Sequence, residues 1–211
     1  MKVGIDSYCY HRYFGEVYPG QKPPPRKMTL EDFLDRAHEL RVDGVALESC
    51  FIPSFDKSYL TDVKAKLDGY GFDRVFAWGH PDGLEGGKNQ DAYKDMIASL
   101  EHAKNIGAEV MRVVGSSLMF RFESHADQIA RLTTMFKDAV KAFRAEGLRV
   151  VVMSTAVNVD ESMARFLAEA RVAKLMVSLD GFKAHHDRLR GPGSYEKTLS
   201  GIRRLADAGL T

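Results

Sequence analysis

Short apolar runs of strand character alternate with helix-period segments along the whole chain. That alternation limits the possible folds more than any other feature. The runs are Lys2–Tyr8, Gly44–Phe51, Asp73–Gly79, Val110–Ser116, Arg149–Thr155 and Lys174–Asp180. They recur about every 35 residues, the length of a strand, a covering helix and two loops. Strands separated by helices run parallel, because each crossover returns the chain to the same end of the sheet. The pattern predicts a single α/β domain, a parallel (β/α)6 partial TIM-type barrel. A complete eight-stranded barrel takes about 250 residues, and this chain has 211. Six units therefore predict an open or three-quarter barrel, or one completed by another chain. Open edges on the first and last strands predict a homodimer that covers them.

The intervening segments read as helices with defined ends. Thr29 and Asp32 form a capping-box pair, and Leu30, Phe33, Leu34, Ala37 and Leu40 keep helical period after it. Further helices are expected at Lys57–Gly69, at Gln90–Ile106 with Gly107 closing it, and from Ser124 to Gly147. Ile129, Leu132, Phe136, Val140 and Phe143 form the buried stripe of the last of these. Asn158 and Ser194 are expected to cap the two final helices. His11 to Lys27, which holds Pro19, Pro23, Pro24 and Pro25, reads as a loop.

Composition removes several function classes. The formal net charge is +1, with basic and acidic residues interspersed, so no nucleic-acid or anionic-membrane surface is expected. Cys9 and Cys50 are the two cysteines. They make no disulfide framework and cannot by themselves hold an iron–sulfur cluster. Free thiols point to the reducing cytosol. No stretch approaches the 18 or so apolar residues of a membrane span, and MKVGIDSY reads as a strand and not as a signal peptide.

The stretch Lys174–Asp187 reads as a strand that ends on a carboxylate, Asp180, followed by Gly181, His185 and His186. A carboxylate at the carboxyl end of a parallel strand is where α/β enzymes place their chemistry, and Asp with His is a metal-ligand vocabulary. The plainer reading is an Asp that caps its own loop, with both histidines on the surface. Side chains two apart share a strand face, so Asp6, Glu48, His80, Arg112, Ser116 and Asp180 are expected to converge at one rim. Each has a plainer role open to it: Arg112 and Glu48 as a buried ion pair, Asp6 as a loop cap, His80 as a satisfied loop histidine. Pro81–Gly87 is glycine-rich and suited to wrapping a phosphate. It lacks the Gly-Lys-Ser/Thr ending of a P-loop, so an ordinary turn is the plainer reading.

Two family resemblances follow from quoted text. Lys2–Gly15 (KVGIDSYCYHRYFG), Asp43–Pro53 (DGVALESCFIP), Phe76–Gly87 (FAWGHPDGLEGG) and His102–Ser117 (HAKNIGAEVMRVVGSS) resemble the xylose-isomerase-like barrels of the sugar phosphate isomerase/epimerase group. That resemblance covers residues 1 to about 152. It implies a small sugar or sugar phosphate as substrate, a divalent metal (Mn, Mg, Co or Zn) and metal-assisted proton transfer. In that group the metal is held by a Glu of strand five, an Asp of strand six, a His of strand seven and a Glu of strand eight. Here Asp180 matches the Asp. Met153, Ser154 and Thr155 stand where the first Glu would be, and the six units supply no strand seven or eight. His185 lies at Asp-x4-His where the group has Asp-x-x-His. Glu48, His80 and Arg112 match substrate-side positions. The implied activity is therefore impaired.

The segment from about residue 153 to 211 is similar to the middle of a radical SAM enzyme of the peptide-maturase type. The matching text is Val177–Gly181 (VSLDG), His186–Gly191 (HDRLRG) and Ile202–Leu210 (IRRLADAGL). Ser154, Ser178 and Asp180 match positions that contact the ribose and amino-acid groups of S-adenosylmethionine. The cluster motif CxxxCxxC is absent from this sequence, so no cluster and no radical chemistry are expected. The chain reads as a hybrid with a seam near residues 152–154. The functional expectations are an impaired sugar isomerase/epimerase, a non-catalytic chimeric barrel scaffold, or a cluster-less radical SAM remnant that binds S-adenosylmethionine.

Overall fold

The structure is a computed structural model that describes residues 2–79, 83–115, 123–149, 151–172 and 174–210; the side chains of His125, Met153 and Lys174 are outside the description. By internal contacts the chain divides into two compact units, Met1–Leu148 and Arg149–Thr211.

The first unit runs β1 (Gly4–Asp6), α1 (His11–Phe14), α2 (Leu30–Glu39), β2 (Gly44–Glu48), α3 (Lys57–Tyr70), β3 (Asp73–Trp78), α4 (Gln90–Asn105), β4 (Val110–Val113) and α5 (His125–Ala145). Its four strands form one parallel sheet in the order β1-β2-β3-β4. The register pairs Asp6 with Ala46, Glu48 with Ala77, and Ala77 with Arg112. Strand alternation puts Val45 and Leu47 on one face and Ala46 and Glu48 on the other. Leu30, Phe33 and Leu34 of α2, Leu60 and Leu67 of α3, and Leu47 and Phe76 of the sheet are buried. The apolar stripes of α2 and α3 are thus covered, which stabilises these helices more than helix propensity does.

The second unit runs β5 (Val151–Ser154), α6 (Glu161–Glu169), β6 (Lys174–Val177), α7 (Lys183–Arg190) and α8 (Ser194–Asp207). β5 and β6 form a parallel pair with Met153 opposite Met176 and Ser154 opposite Val177. Its core is Ala156, Val159, Ala164, Leu167 and Leu205, with Val152, Leu175 and Val177 packed against it.

Several ends match the sequence. The Thr29 hydroxyl accepts from the Asp32 amide while the Asp32 carboxylate accepts from the Thr29 amide, a complete capping box. Ser124 caps α5, and α4 ends at Asn105 just before Gly107. Other ends differ. Residues 11–14 form a helical turn inside the expected loop, closed by Gly15. α6 is capped by Asp160, whose carboxylate reaches the Met163 amide, and not by Asn158. Ser194 lies inside α8, and Gly193 occupies the cap position. The Ser194 hydroxyl is instead drawn to Asp187, which also accepts from the Tyr195 amide. α7 was not expected, because KAHHDRLR carries no apolar stripe; His186 is its one buried residue. β6 ends at Val177, and Leu179 beyond it is 43% exposed.

Candidate functional site

The first unit gathers a polar cluster at the carboxyl ends of its strands. β1 ends on Asp6, whose carboxylate accepts from the Tyr8 amide, as the loop-cap reading expects. Ser7 is fully buried, and its hydroxyl accepts from the Glu48 amide at 2.9 Å, tying the ends of β1 and β2. The Glu48 side chain is only 7% exposed, and Arg112 of β4 donates to it from Nη2. The same guanidinium nitrogen lies 3.8 Å from Asp6. Arg112 Nε is buried without a hydrogen-bond partner among the described residues. The Ser49 hydroxyl accepts from the Gly79 amide at 3.0 Å, and a Cβ on Gly79 would stand 3.4 Å from the Glu48 carboxylate. A Cβ at position 79 would therefore touch Glu48 at van der Waals distance.

Of the expected rim, then, Asp6, Glu48 and Arg112 meet. His80 and Ser116 lie outside the described residues. Ser7, Ser49 and Gly79 complete the cluster and were not singled out from sequence; small residues directly after strand ends are the signal that marks them. The ion pair expected as the plainer role of Glu48 and Arg112 is present. Chemically, the guanidinium occupies the carboxylate that a base would use, while its remaining N–H groups are of a kind that can donate to hydroxyl or anionic groups.

The loop beside this cluster is aromatic. The Tyr8 ring stacks on His11 and Phe51, and the hydroxyls of Tyr8 and Tyr18 converge on Glu16. The hydrogen bond to Glu16 pushes the Tyr18 hydroxyl well above its ordinary pKa, so it stays a donor.

The second unit holds the other candidates. The Ser154 hydroxyl accepts from the Ala156 amide and the Ser154 carbonyl from the Ser178 amide, so both serines shape the ends of β5 and β6. Asp180 receives Arg190 Nε at 2.6 Å, which lowers its carboxyl pKa. His185 shares a 3.0 Å contact with Arg188. His186 is 1% exposed, against the surface position that the plainer sequence reading gave it. Its Nδ1 accepts from the Asp180 amide. Among the described residues, no group of three or more His, Cys, Asp or Glu is placed to hold a metal ion.

A family model described as the Radical SAM superfamily matches residues 7–211. The chain belongs to the radical SAM superfamily. Over 64 residues this member is 42% identical to the AdoMet-dependent heme synthase of Methanosarcina barkeri (strain Fusaro / DSM 804). That match takes in 29% of this chain and 18% of that protein, so this radical SAM chain spans less than a fifth of the curated relative it matches.

Solved structures show a second likeness. The radical SAM member superposes on a D-psicose 3-epimerase crystallised in the presence of D-fructose with a TM-score of 0.63, at 12% identity, over 88% of this chain and 68% of that one. It matches a xylose isomerase domain protein from Planctomyces limnophilus with a TM-score of 0.56, at 14% identity, over 100% of this chain and 70% of that one. These likenesses show the fold, an α/β partial barrel of TIM type with parallel strands. Both resemblances read from the sequence are thus present, and the radical SAM match begins at Ser7, far ahead of the expected seam.

The superfamily implies an iron–sulfur cluster held by the cysteines of CxxxCxxC. The two cysteines of this radical SAM chain, both exposed, sit in different βα loops and do not form that motif. Packing about the Cys50 sulfur, with Glu16 and Asp6, pushes its thiol pKa up and away from the thiolate a cluster needs. The residues present do not fit the cluster, and no step through it follows for this chain.

Proposed function

We propose that this chain is a sugar isomerase/epimerase-like barrel that binds a small sugar or sugar phosphate at the β1–β4 rim, with impaired proton-transfer activity. The observation that carries this reading is the buried Glu48 carboxylate engaged by Arg112 at the carboxyl end of the sheet. A guanidinium and carboxylate side by side suit hydroxyl and phosphate recognition, and the aromatic loop beside them suits the apolar face of a sugar ring. The same pairing ties up the carboxylate that would abstract a proton. Calorimetry with D-fructose, D-tagatose and their phosphates, with and without Mn, tests the reading. Binding that is lost in Glu48→Gln, with negligible solvent-deuterium exchange into the sugar, is the expected result. No binding under any of these conditions sinks it.

A second reading is favoured by the superfamily match over residues 7–211. In it, Ser154, Ser178 and Asp180 bind S-adenosylmethionine without cleaving it. Saturable binding weakened by Asp180→Ala is expected; an unfolding midpoint indifferent to S-adenosylmethionine, sugars and Mn leaves a folded scaffold instead. The edges of β1 and β6, each outermost in its own sheet, are proposed to pair in a homodimer, and light scattering that reports a monomer at high concentration removes that proposal.

A further inference from the structure

The HDRLRG segment supplies no binding residue in the readings above, yet its helix reaches back to Asp180, just past the end of β6. His186 and Arg190 lie four apart on α7 and so share one helix face. His186 Nδ1 accepts from the Asp180 backbone amide at 3.1 Å, and Arg190 Nε donates to Asp180 Oδ2 at 2.6 Å. Two residues one turn apart thus hold both the main chain and the carboxylate of the same residue. Gly181, at φ +86°, lets the chain turn back into the helix directly after Asp180.

The direction of the first bond fixes the imidazole. A ring nitrogen that accepts from an amide carries no proton, so the proton of the neutral ring resides on Nε2. Nε2 is buried and has no hydrogen-bond partner among the described residues, while the Tyr195 ring of α8 packs edge-to-face with the imidazole at 5.9 Å between centroids. The next residue, Asp187, holds the start of α8 through Ser194 and the Tyr195 amide. The imidazole is therefore clamped between the strand end and the following helix. With Oδ2 taken by Arg190, Asp180 Oδ1 has no hydrogen-bond partner among the described residues, and the side chain is 31% exposed.

We propose that His186 and Arg190 are positioning residues that fix Asp180 with Oδ2 occupied and Oδ1 open to accept from a hydroxyl of a bound ligand. The hydroxyl is a ribose hydroxyl, as in S-adenosylmethionine. This rests on the second reading above for the ligand, and on α7 alone for the clamp.

The clamp is tested without ligand. Nitrogen-15 NMR of the full chain at pH 8 is expected to show His186 in the Nε2–H tautomer. The Asp180 amide proton should lie downfield, move upfield in His186→Phe and return in His186→Asn, whose carbonyl takes the place of Nδ1. An Nδ1–H tautomer in the unmodified protein overturns the clamp whether or not the variants fold, as does an Asp180 amide indifferent to His186→Phe. Calorimetry with S-adenosylmethionine then reads the ligand. Its affinity should fall about fivefold in His186→Phe, the size of one net hydrogen bond, and recover in His186→Asn. Affinity that is unchanged in His186→Phe overturns the positioning role. No binding of S-adenosylmethionine sinks the second reading and overturns the open-acceptor role of Asp180, while the tautomer still decides the clamp.

Discussion

Arg112 on β4 donates to Glu48 on β2 across the intervening strand β3, so one guanidinium spans three strand ends. Removing Arg112 leaves the buried Glu48 without its counter-charge, and removing Glu48 leaves Arg112 with Asp6 at 3.8 Å. Glu48→Gln and Arg112→Met should each lower stability by about 1–3 kcal/mol. That is less than the 3–5 kcal/mol typical of a fully buried pair, because Arg112 is 38% exposed. The double variant should recover part of the loss. Urea unfolding of all four proteins gives the coupling directly, and strictly additive losses would show that the pair does not interact.

Asp187 makes the second unit sensitive to acid. The Tyr195 amide, with Lys183 beside it, holds its carboxyl down at about 2. The unfolded chain titrates near the ordinary value of about 3.9. A carboxylate whose folded pKa is depressed contributes stability above the unfolded pKa and loses it as pH falls towards the folded one. Stability should therefore drop between about pH 4 and pH 2, and Asp187→Asn should flatten that slope. Urea midpoints measured across this range check the sign.

Gly201 of α8 lies against the β5–α6 loop so closely that a Cβ there would overlap the Ala156 carbonyl oxygen. Gly201→Ala should cost about 1–3 kcal/mol, the range for overpacking, and speed amide exchange in residues 151–210. Gly69→Ala in α3 is the control, since nothing lies within 4 Å of its Cβ position. It should be stabilising by up to about 1 kcal/mol through helix propensity. Equal effects at the two sites would contradict the packing argument.

Thr29→Ala removes one half of the α2 capping box. A loss of about 1 kcal/mol is expected, with faster exchange at the Asp32 amide. A serine at the same position should restore both.

The order of the six units was legible because each depends on patterns within a few residues: apolar alternation, helical period, a cap and its partner three positions on. The Thr29–Asp32 box is complete within one helical turn, so sequence alone specifies it. α7 escaped for the complementary reason. Its lone buried residue is a histidine held by a strand-end amide, and no periodic apolar stripe announces such a helix. Ser194 shows how a local preference yields to a distant partner, since its hydroxyl serves Asp187 and leaves the cap position to Gly193.

The candidate site divides along the same line. Sequence placed Asp6, Glu48 and Arg112 at strand ends and offered an ion pair for Glu48 and Arg112; it also ended a strand on Asp180, whereas β6 stops at Val177. The sequence by itself thus determined the α/β alternation, the helix ends that close within one turn, and the polar residues at the ends of β1, β2 and β4. Only the tertiary structure decided that Arg112 takes the Glu48 carboxylate, that Ser7 ties β1 to β2, and that His186 is buried beneath Asp180. Those pairings depend on parallel register and helix packing between residues distant in sequence, where no local interaction specifies the partner.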